Sequence, residues 1–581
     1  MAAASAVSAR DEVVGGAPLS ARARWLHLLG AWTFLWLGNP GVAAPGLAVA
    51  CASLGWTWLA WGTLAPQRPG RAGWRGARLW VDWLAAAIGL SAQCFWSTKV
   101  LWLTLLAVAI VPGLYYALAA ATARLLAQRF GAALSFAAAF ASFEVLRTQL
   151  EPPFAFGWMR VAHHYAGPDG WVAPVQVVGA AGAGFLLLLA AGGVAQAWRG
   201  RARAATRNGG LSWAGAGLCA WLLAGMGASA VETRVAGRAL LVQPAFEQRR
   251  KMNPLSSREM FADSLALTRA GLQRHGPVDL VAWGETMLPY LLAEPELEAA
   301  VANGARAPDW ARYQPEPEDL RTLRENEAAV LGVLQSEEGA LLPKGVVFVA
   351  GVEQLCLRDG AVRRSNSIVA WREGRRVGSA AKRHLVPGAE SLAGLERIGL
   401  VREGALALAG YLPDLVPDAG AGLIDLPLKP GVEGGTLRAS ASVCFDNSFE
   451  DVYVDATRAG AELHFVASNE AWYEESFEYD QMLAFSRVAA VETGRALVRA
   501  TNSGLTALVG PDGRAEVLRV DGRDRMVAGS LAVDLPVPVR KDQRTPYLRL
   551  REGILLGLVA APWLLLLLPL LGRTVLRRRR D

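Results

Sequence analysis

Three side chains in the second half of the chain combine chemical reactivity with positions at or just after apolar segments. Glu285 follows VDLVAWG, Cys444 lies near the end of LRASASVCFD, and Lys382 lies in the turn after SNSIVAWRE. Carboxyl, thiol and amino groups can exchange protons with a substrate or attack it. Each residue also has a plain structural interpretation, as a solvated glutamate, a small buried cysteine or a surface lysine. Spacing alone does not decide between the two interpretations.

The segments around these residues predict an α/β layered domain. Apolar runs predict strands, helical spacing predicts helices, and a Pro-Asp-Gly turn predicts a hairpin. The strands are predicted at 238–246, 278–286, 345–354, 365–373, 437–446 and 462–472, the helices at 256–275 and 478–494, and the hairpin at 495–513. The acidic, proline-containing stretch 293–325 predicts a loop or a mobile insertion. Strand ends in such a fold are rigid, and the loops beyond them are open to a ligand.

The remainder of the chain has the composition of a membrane protein. Of 581 residues, 52% are hydrophobic and 19% are charged, whereas about 25% charged residues is usual in soluble domains. Most of the long apolar stretches approach the ~20 residues that cross a bilayer. They cover 25–64, 79–98, 100–120, 131–148, 171–197, 211–230 and 553–571. The first breaks at Gly-Asn-Pro-Gly into two helices, so the sequence predicts seven spans before residue 232 and an eighth at the C-terminus.

Basic residues are concentrated in alternate loops of this predicted membrane domain. They follow the second span (Arg68, Arg71, Arg75, Arg78), the fourth (Arg124, Arg129), the sixth (Arg199, Arg201, Arg203, Arg207) and the eighth, as the tail RRRRD. This pattern follows the positive-inside rule, so both termini are predicted to be cytoplasmic. The net charge of +7 is then a topology signal, and no nucleic-acid binding is expected. The first 20 residues lack the apolar core of a cleavable signal peptide, so the first span is predicted to direct insertion.

These observations predict three regions. Residues 1–231 form an N-terminal membrane domain, residues 232–552 form an external domain, and residues 553–581 form a C-terminal transmembrane helix with a basic cytoplasmic tail. In a bacterial cell the external face is the periplasm. The external domain, of about 320 residues, is long enough to bury a core of its own.

Cysteine usage gives no indication of a metal site. Cys51, Cys94 and Cys219 lie in or beside predicted spans, and Cys356 and Cys444 lie in the external domain. That compartment permits disulfides, so the sequence leaves open whether Cys356 is free or bonded. We find no Cys-x-x-Cys, His-rich or Gly-rich phosphate-binding motif, and therefore expect no metal and no cofactor.

Four motifs together resemble a known family. VAWGETMLPY, AKRHLVPGAE, SVCFDNSFED and SNEAWYEE occur in the order seen in bacterial apolipoprotein N-acyltransferases. The resemblance covers nearly the whole chain: several N-terminal spans, an external nitrilase-like domain and one C-terminal span. Its most specific part is Lys-Arg-His-Leu-Val-Pro followed by Glu, since the Glu/Lys/Cys order alone would indicate only the wider nitrilase superfamily. The resemblance implies an α-β-β-α sandwich for the external domain.

The resemblance also implies a role for each candidate residue. Glu285 would be the general base, Cys444 the nucleophile, Lys382 the cation that stabilises an oxyanion, and Glu390 a supporting residue. A thiol with a pKa near ~8.5 is mostly protonated at neutral pH and needs a base to become a thiolate. A fixed ammonium opposite the attacked carbonyl stabilises the charge that develops there. Glu390 would keep that ammonium charged and in place, and its alternative is a simple structural ion pair.

The implied activity is acyl transfer at the outer face of the bacterial cytoplasmic membrane, without a cofactor and by a monomer. The donor would be a phospholipid, the intermediate a thioester on Cys444, and the acceptor the α-amino group of a diacylated lipoprotein. Apolar residues in 392–416 would either enter the membrane interface as a lipid entry or form an ordinary buried helix. Two alternatives stay open: a membrane-anchored nitrilase-type amidase, and a catalytically silent nitrilase-like lipid-binding scaffold.

The sequence departs from the family pattern at several positions. Gly284 replaces a proline, Phe445 and Asp446 replace Tyr-Glu, Ala489 replaces an arginine, and Lys251-Met252 replaces Lys-Trp. In the membrane part, 155–165 contains His163 and His164, which are interpreted as solvated interfacial residues or as substrate contacts. These departures retain the Glu/Lys/Cys set and leave the acyl-chain and acceptor preferences open.

Overall fold

The computed structural model describes residues 19–578, apart from 67–74, 101, 103, 152–153, 337–338, 393, 411 and 429–434. The chain forms two compact units. One comprises residues 1–230 and 544–581, and the other comprises residues 231–543.

The first unit is helical. Its helices are α1 (Ala21–Leu37), α2 (Pro45–Thr63), α3 (Arg75–Gln93), α4 (Thr104–Phe130), α5 (Ala132–Gln149), α6 (Val175–Arg199), α7 (Ala204–Met226) and a C-terminal helix, Pro546–Arg578. Among the described residues, four helices are long and apolar enough to cross a membrane: α4, α6, α7 and Pro546–Leu567 of the C-terminal helix. The eight-span count stays a prediction.

Small residues allow the helices of this unit to pack closely. A Cβ on Gly193 of α6 would lie 2.4 Å from the amide nitrogen of Ala214 in α7, and a Cβ on Gly210 would lie 2.4 Å from that of Ala197. The two backbones are therefore in direct contact, as small residues permit in membrane helices.

His163 and His164 of the helical unit are buried within it. They lie in a 3-10 helix, Val161–Tyr165, and are each 2% exposed. His163 Nδ1 accepts from the Arg160 N–H at 3.2 Å, and His164 Nδ1 lies 3.2 Å from the Gly38 carbonyl oxygen. The interpretation of these residues as solvated is therefore wrong, because both rings bind the backbone of their own unit.

The second unit contains two sheets and the helices that cover them. The strands are β1 (Thr233–Gln243), β2 (Leu280–Trp283), β3 (Leu292–Ala293), β4 (Val347–Arg358), β5 (Ala361–Arg372), β6 (Arg375–Ala381), β7 (Leu423–Leu426), β8 (Leu437–Val443), β9 (Leu463–Ser468), β10 (Leu497–Thr501), β11 (Ala507–Val509), β12 (Ala515–Val517) and β13 (Gly529–Pro538). The helices are α8 (Gln248–Lys251), α9 (Ser257–His275), α10 (Leu297–Ala302), α11 (Pro317–Leu331), α12 (Gly399–Ala409), α13 (Glu450–Arg458) and α14 (Glu478–Thr493).

The unit is an α-β-β-α sandwich, as the resemblance implied. A seven-stranded sheet has the order β13-β1-β2-β4-β5-β6, with β3 beside β4, and a six-stranded sheet has the order β12-β11-β10-β9-β8-β7. The sheets meet face to face through β1 and β10, β4 and β9, and β5 and β8. Helix α9 packs on β1 and β13 at one outer face, while α13 and α14 cover the second sheet. The central strands β2 and β9 are buried along their whole length, as parallel strands covered on both faces should be.

The stretch 293–325 is not the loop that its composition predicted. It contains α10 and the first part of α11. Leu297, Val301 and Leu320 are buried against Leu355 and Val362 of the first sheet. Helical spacing of a few apolar residues was hidden among acidic and proline residues, and the sheet edge supplies the apolar surface that these helices need.

The Pro-Asp-Gly turn also differs from its prediction. The strands β10 and β11 pair antiparallel, so the predicted hairpin exists, but residues 502–506 connect them. Pro-Asp-Gly instead joins β11 to β12, which also pair antiparallel. Strand β6, which leads into Lys382, was not predicted, since the polar sequence Arg375–Ala381 resembles a turn.

Candidate active site

The three candidate residues come directly after strands of the two facing sheets. Glu285 follows β2, Lys382 follows β6, and Cys444 follows β8. Strands β6 and β8 are in contact, so the turns that carry Lys382 and Cys444 meet at one edge of the sandwich.

Cys444 has a strained backbone. It is the first residue of the 3-10 turn Cys444–Ser448, and its φ of 48° lies in the left-handed region that non-glycine residues rarely adopt. Such conformations cost ~1–3 kcal/mol and persist only where surrounding structure enforces them. The sharp turn directs the thiol away from its strand.

The Glu285 carboxyl is buried and held at one oxygen. It is 7% exposed, and its Oε1 accepts from Asn366 Nδ2 at 2.7 Å. Its Oε2 has no hydrogen-bond partner in the described part of the chain. Burial raises the pKa of Glu285, and the Lys382 ammonium opposes this shift. One fixed oxygen and one available oxygen suit a group that accepts a proton.

Lys382 is held as a buried ion pair. It is 1% exposed, and its Nζ lies 2.9 Å from Glu390 Oε1 and 2.8 Å from Oε2. Glu390 is itself fixed, because its Oε2 accepts from the Val386 N–H at 2.8 Å. Burial alone would lower the pKa of Lys382, but the charges of Glu390, Cys444 and Glu285 together raise it. The ammonium therefore stays charged at every physiological pH.

The thiol of Cys444 rests in its protonated form. Burial and the nearby Glu285 carboxylate raise its pKa well above the ordinary value, and Lys382 opposes them. The charges of Cys444, Glu285 and Lys382 affect one another's pKa values, as expected of neighbouring buried groups. For Cys444 to act as a nucleophile, its thiol would first have to transfer a proton to a neighbouring group.

Asp446 connects the turn that carries Cys444 to the turn that carries Lys382. Its buried carboxylate accepts from the Val443 N–H at 3.0 Å, from the His384 N–H at 2.6 Å, and from the Arg383 N–H at 3.2 Å. One side chain thus fixes the residues next to Cys444 and those next to Lys382. The departure from the family's glutamate retains an acid that reaches three backbone donors.

The departure at Gly284 has a steric reason. A Cβ at this position would lie 2.8 Å from the carbonyl carbon of Thr501 and 3.0 Å from the amide nitrogen of Asn502. The end of β2 therefore approaches the end of β10 too closely for any larger residue.

The thiol of Cys356 is free and buried in β4.

Two residues of the site were not identified from the sequence. The sequence indicates Asn366 only as part of a predicted strand, and Lys251 only as part of a departure from the family pattern. The available signal for Asn366 was the polar run Ser-Asn-Ser at 365–367 inside an otherwise apolar strand. No comparable signal marked Lys251, because its target becomes adjacent only through the pairing of β1 with β2.

Comparison with known proteins supports the resemblance. Residues 246–518 match the carbon-nitrogen hydrolase family model. A protein of Rhizobium meliloti (strain 1021) named apolipoprotein N-acyltransferase is 26% identical over 503 residues, or 83% of this chain and 82% of that protein. One of Brucella melitensis with the same name is 28% identical over 481 residues, or 78% and 75%. These relatives, at 26% and 28% identity over most of the chain, together with the carbon-nitrogen hydrolase match, support an apolipoprotein N-acyltransferase of the nitrilase superfamily.

The extent of the match varies between relatives. The alignment with the apolipoprotein N-acyltransferase of Sinorhizobium medicae (strain WSM419) is 27% identical and spans 52% of this chain and only 50% of that protein. Among solved structures, an amidase from Nesterenkonia sp. is 16% identical, with a TM-score of 0.32, over 55% of this chain and 98% of that one.

Proposed function

We propose that this protein transfers an acyl chain from a phospholipid to the α-amino group of the N-terminal diacylglyceryl-cysteine of lipoproteins. The observation that carries this proposal is the buried set of Cys444, Glu285 and the Lys382–Glu390 ion pair in one site. The alignment with the Rhizobium meliloti relative covers 83% of the chain, and the name of that relative supports acyl transfer as the function of this site.

In the first half-reaction, the available Oε2 of Glu285 accepts the proton of the Cys444 thiol. The thiolate attacks the ester carbonyl of the phospholipid, and the Lys382 ammonium stabilises the oxyanion that forms. The carbon–oxygen bond then breaks, and Glu285 returns the proton to the leaving oxygen. The products are a lysophospholipid and a thioester on Cys444.

In the second half-reaction, the neutral amine of the acceptor attacks the thioester carbonyl. Glu285 accepts a proton from the attacking nitrogen, and Lys382 again stabilises the oxyanion. The carbon–sulfur bond breaks, and Glu285 returns the proton to the sulfur. The cycle is a ping-pong reaction that leaves an amide and a free thiol.

Lipid substrates agree with an exposed apolar surface in the segment that follows Glu390. Helix α12 and the residues before it expose Leu400 at 80%, Leu408 at 67% and Ile398 at 51%. The interpretation of 392–416 as an ordinary buried helix is therefore wrong. We assign this surface to contact with lipid. We further propose that the protein is a monomer in the bacterial inner membrane, with the second unit at the periplasmic face and both termini in the cytoplasm.

The test is the intact mass of the detergent-purified protein after exposure to phospholipid, beside a Cys444→Ala variant. An acyl-sized adduct that hydroxylamine removes, and that the variant lacks, is expected. A diacylated lipopeptide should then discharge it and gain one acyl chain. Turnover of soluble amides without any adduct from phospholipid would instead identify an amidase, and inactivity in both assays would identify a silent scaffold.

A further inference from the structure

A second, half-buried lysine contacts the candidate base and the two residues after it. Lys251 ends the short helix α8, which follows β1. Its Nζ donates to the Glu285 carbonyl oxygen at 3.0 Å and to Thr286 Oγ1 at 2.9 Å. It also lies 3.8 Å from Met287 Sδ. One ammonium thus holds three consecutive residues of the chain.

The segment that Lys251 holds is strained. Thr286 has a φ of 49°, which a β-branched residue adopts only when neighbouring contacts enforce it. The Thr286 hydroxyl donates to the Glu285 carbonyl oxygen at 2.8 Å while it accepts from Lys251. The lysine therefore closes a compact network around the bend that directs the Glu285 side chain.

We propose that Lys251 is a positioning residue for the base: by holding the Glu285 carbonyl oxygen and the Thr286 and Met287 side chains, its ammonium orients the Glu285 carboxylate toward the Cys444 thiol. This assignment rests on the proposed function. The carboxylate is then held from two sides, at its side chain by Asn366 and at its main chain by Lys251. Lys382 and Lys251 have separate tasks, since the former pairs with Glu390 and the latter with backbone and hydroxyl oxygens.

The charge of Lys251 also affects the base. The titratable groups that act on it are Glu285 after β2, Glu353 in β4 and Cys444 after β8. Burial outweighs their attraction and lowers the pKa of Lys251 to about 8. The ammonium in turn lowers the pKa of Glu285. The Lys251 side chain is therefore charged at neutral pH and loses its proton within the pH range of an ordinary enzyme assay.

The test compares Lys251→Met, Lys251→Arg and a matched control, Arg249→Met, whose side chain lies exposed on the same helix. The readout is the rate at which phospholipid acylates the full-length protein, followed by intact mass from about pH 5 to about pH 10. Since a displacement of ~1 Å can lower a rate about 100-fold, Lys251→Met should lose about 10- to 100-fold in acylation rate at saturating phospholipid. The half-saturating phospholipid concentration should stay unchanged, since the proposed role of Lys251 is to position the base and not to bind the substrate.

The pH profile separates positioning from a merely structural role. Wild type should lose rate above about pH 8, as Lys251 loses its proton. Lys251→Arg should regain activity relative to Lys251→Met and lose that alkaline decline, since a guanidinium stays charged. In Lys251→Met the acidic limb should move to higher pH, because the pKa of Glu285 rises. If Lys251→Met does not fold, the Lys251→Arg profile decides alone.

Two results would overturn the assignment. Normal wild-type acylation, with a Lys251→Met rate and profile equal to those of Arg249→Met, refutes the role of Lys251 and leaves the proposed function intact. A wild-type protein that forms no hydroxylamine-sensitive adduct refutes the proposed function and, with it, the need for a positioned base.

Discussion

The buried pair of Lys382 and Glu390 gives the most informative substitution, Glu390→Gln. Both Glu390 oxygens lie within 2.9 Å of the ammonium, and Glu390 is the main reason why the pKa of Lys382 is raised despite burial. Without that carboxylate, burial should lower the pKa of Lys382 and favour the neutral amine. Removing one oxyanion donor typically costs ~3 kcal/mol, or about 100-fold in rate.

We therefore expect Glu390→Gln to acylate Cys444 about 100-fold more slowly at pH 7. Breaking a buried pair also destabilises a protein by ~3–5 kcal/mol, so its unfolding temperature should fall. Glu325→Gln, which changes an exposed glutamate of α11, is the matched control. The measurements are the acylation rate by intact mass and thermal unfolding in detergent.

The pH dependence of stability tests the same reasoning. In wild type the pKa of Lys382 is raised in the folded state, so the stabilisation from its charge is complete below the unfolded pKa of ~10.4 and is constant from about pH 7 to about pH 9. In Glu390→Gln we expect burial to bring the folded pKa of Lys382 below its unfolded value, in which case the unfolded state binds more protons. Stability of the variant should then rise with pH across that window. A variant with a wild-type acylation rate and no such pH dependence would refute the argument.

Three further predictions follow from the site. Asp446→Ala leaves buried N–H groups without an acceptor, which should cost ~2–4 kcal/mol of stability and slow acylation at least about tenfold; unchanged thermal unfolding and rate would contradict the described contacts. Gly284→Pro introduces atoms within 2.8 Å of Thr501 and should destabilise the protein by ~1–3 kcal/mol, whereas equal stability in a denaturant titration would show that the strand ends can separate. Because burial raises the pKa of Glu285, acylation should decline with falling pH already above ~4.5; a pH–rate profile that is flat down to about pH 4 would exclude Glu285 as the base.

Much of the architecture was readable from local patterns. Apolar runs located most strands of the sandwich, and the wide apolar stretches located the helices of the first unit. The predicted layered fold is confirmed because buried central strands such as β2 and β9 consist of apolar residues along most of their length. The resemblance of four motifs indicates the same family that the relatives support. The roles of Glu285, Lys382, Cys444 and Glu390 remain proposals.

Weak or mixed patterns failed where tertiary contacts supply the stabilisation. Helix α10 is not predicted because it is short and lies in an acidic, proline-containing stretch, and strand β6 is not predicted because it begins with two arginines. Both are stabilised by contacts with strands of the first sheet. The burial of His163 and His164 is also not predictable from the sequence, because their ring nitrogens contact backbone groups that the order of residues does not reveal.

The sequence alone identifies the motif residues, whereas their spatial arrangement is determined only by the fold. Types and order along the chain were enough to nominate a carboxyl, an ammonium and a thiol, since these groups define the available chemistry. The fold decided which oxygen of Glu285 is available, which acid ties the two turns together, and that Lys251 lies against residues 285–287. Contacts between residues 34 to 81 positions apart in the chain depend on strand pairing and sheet packing, and those are properties of the whole domain.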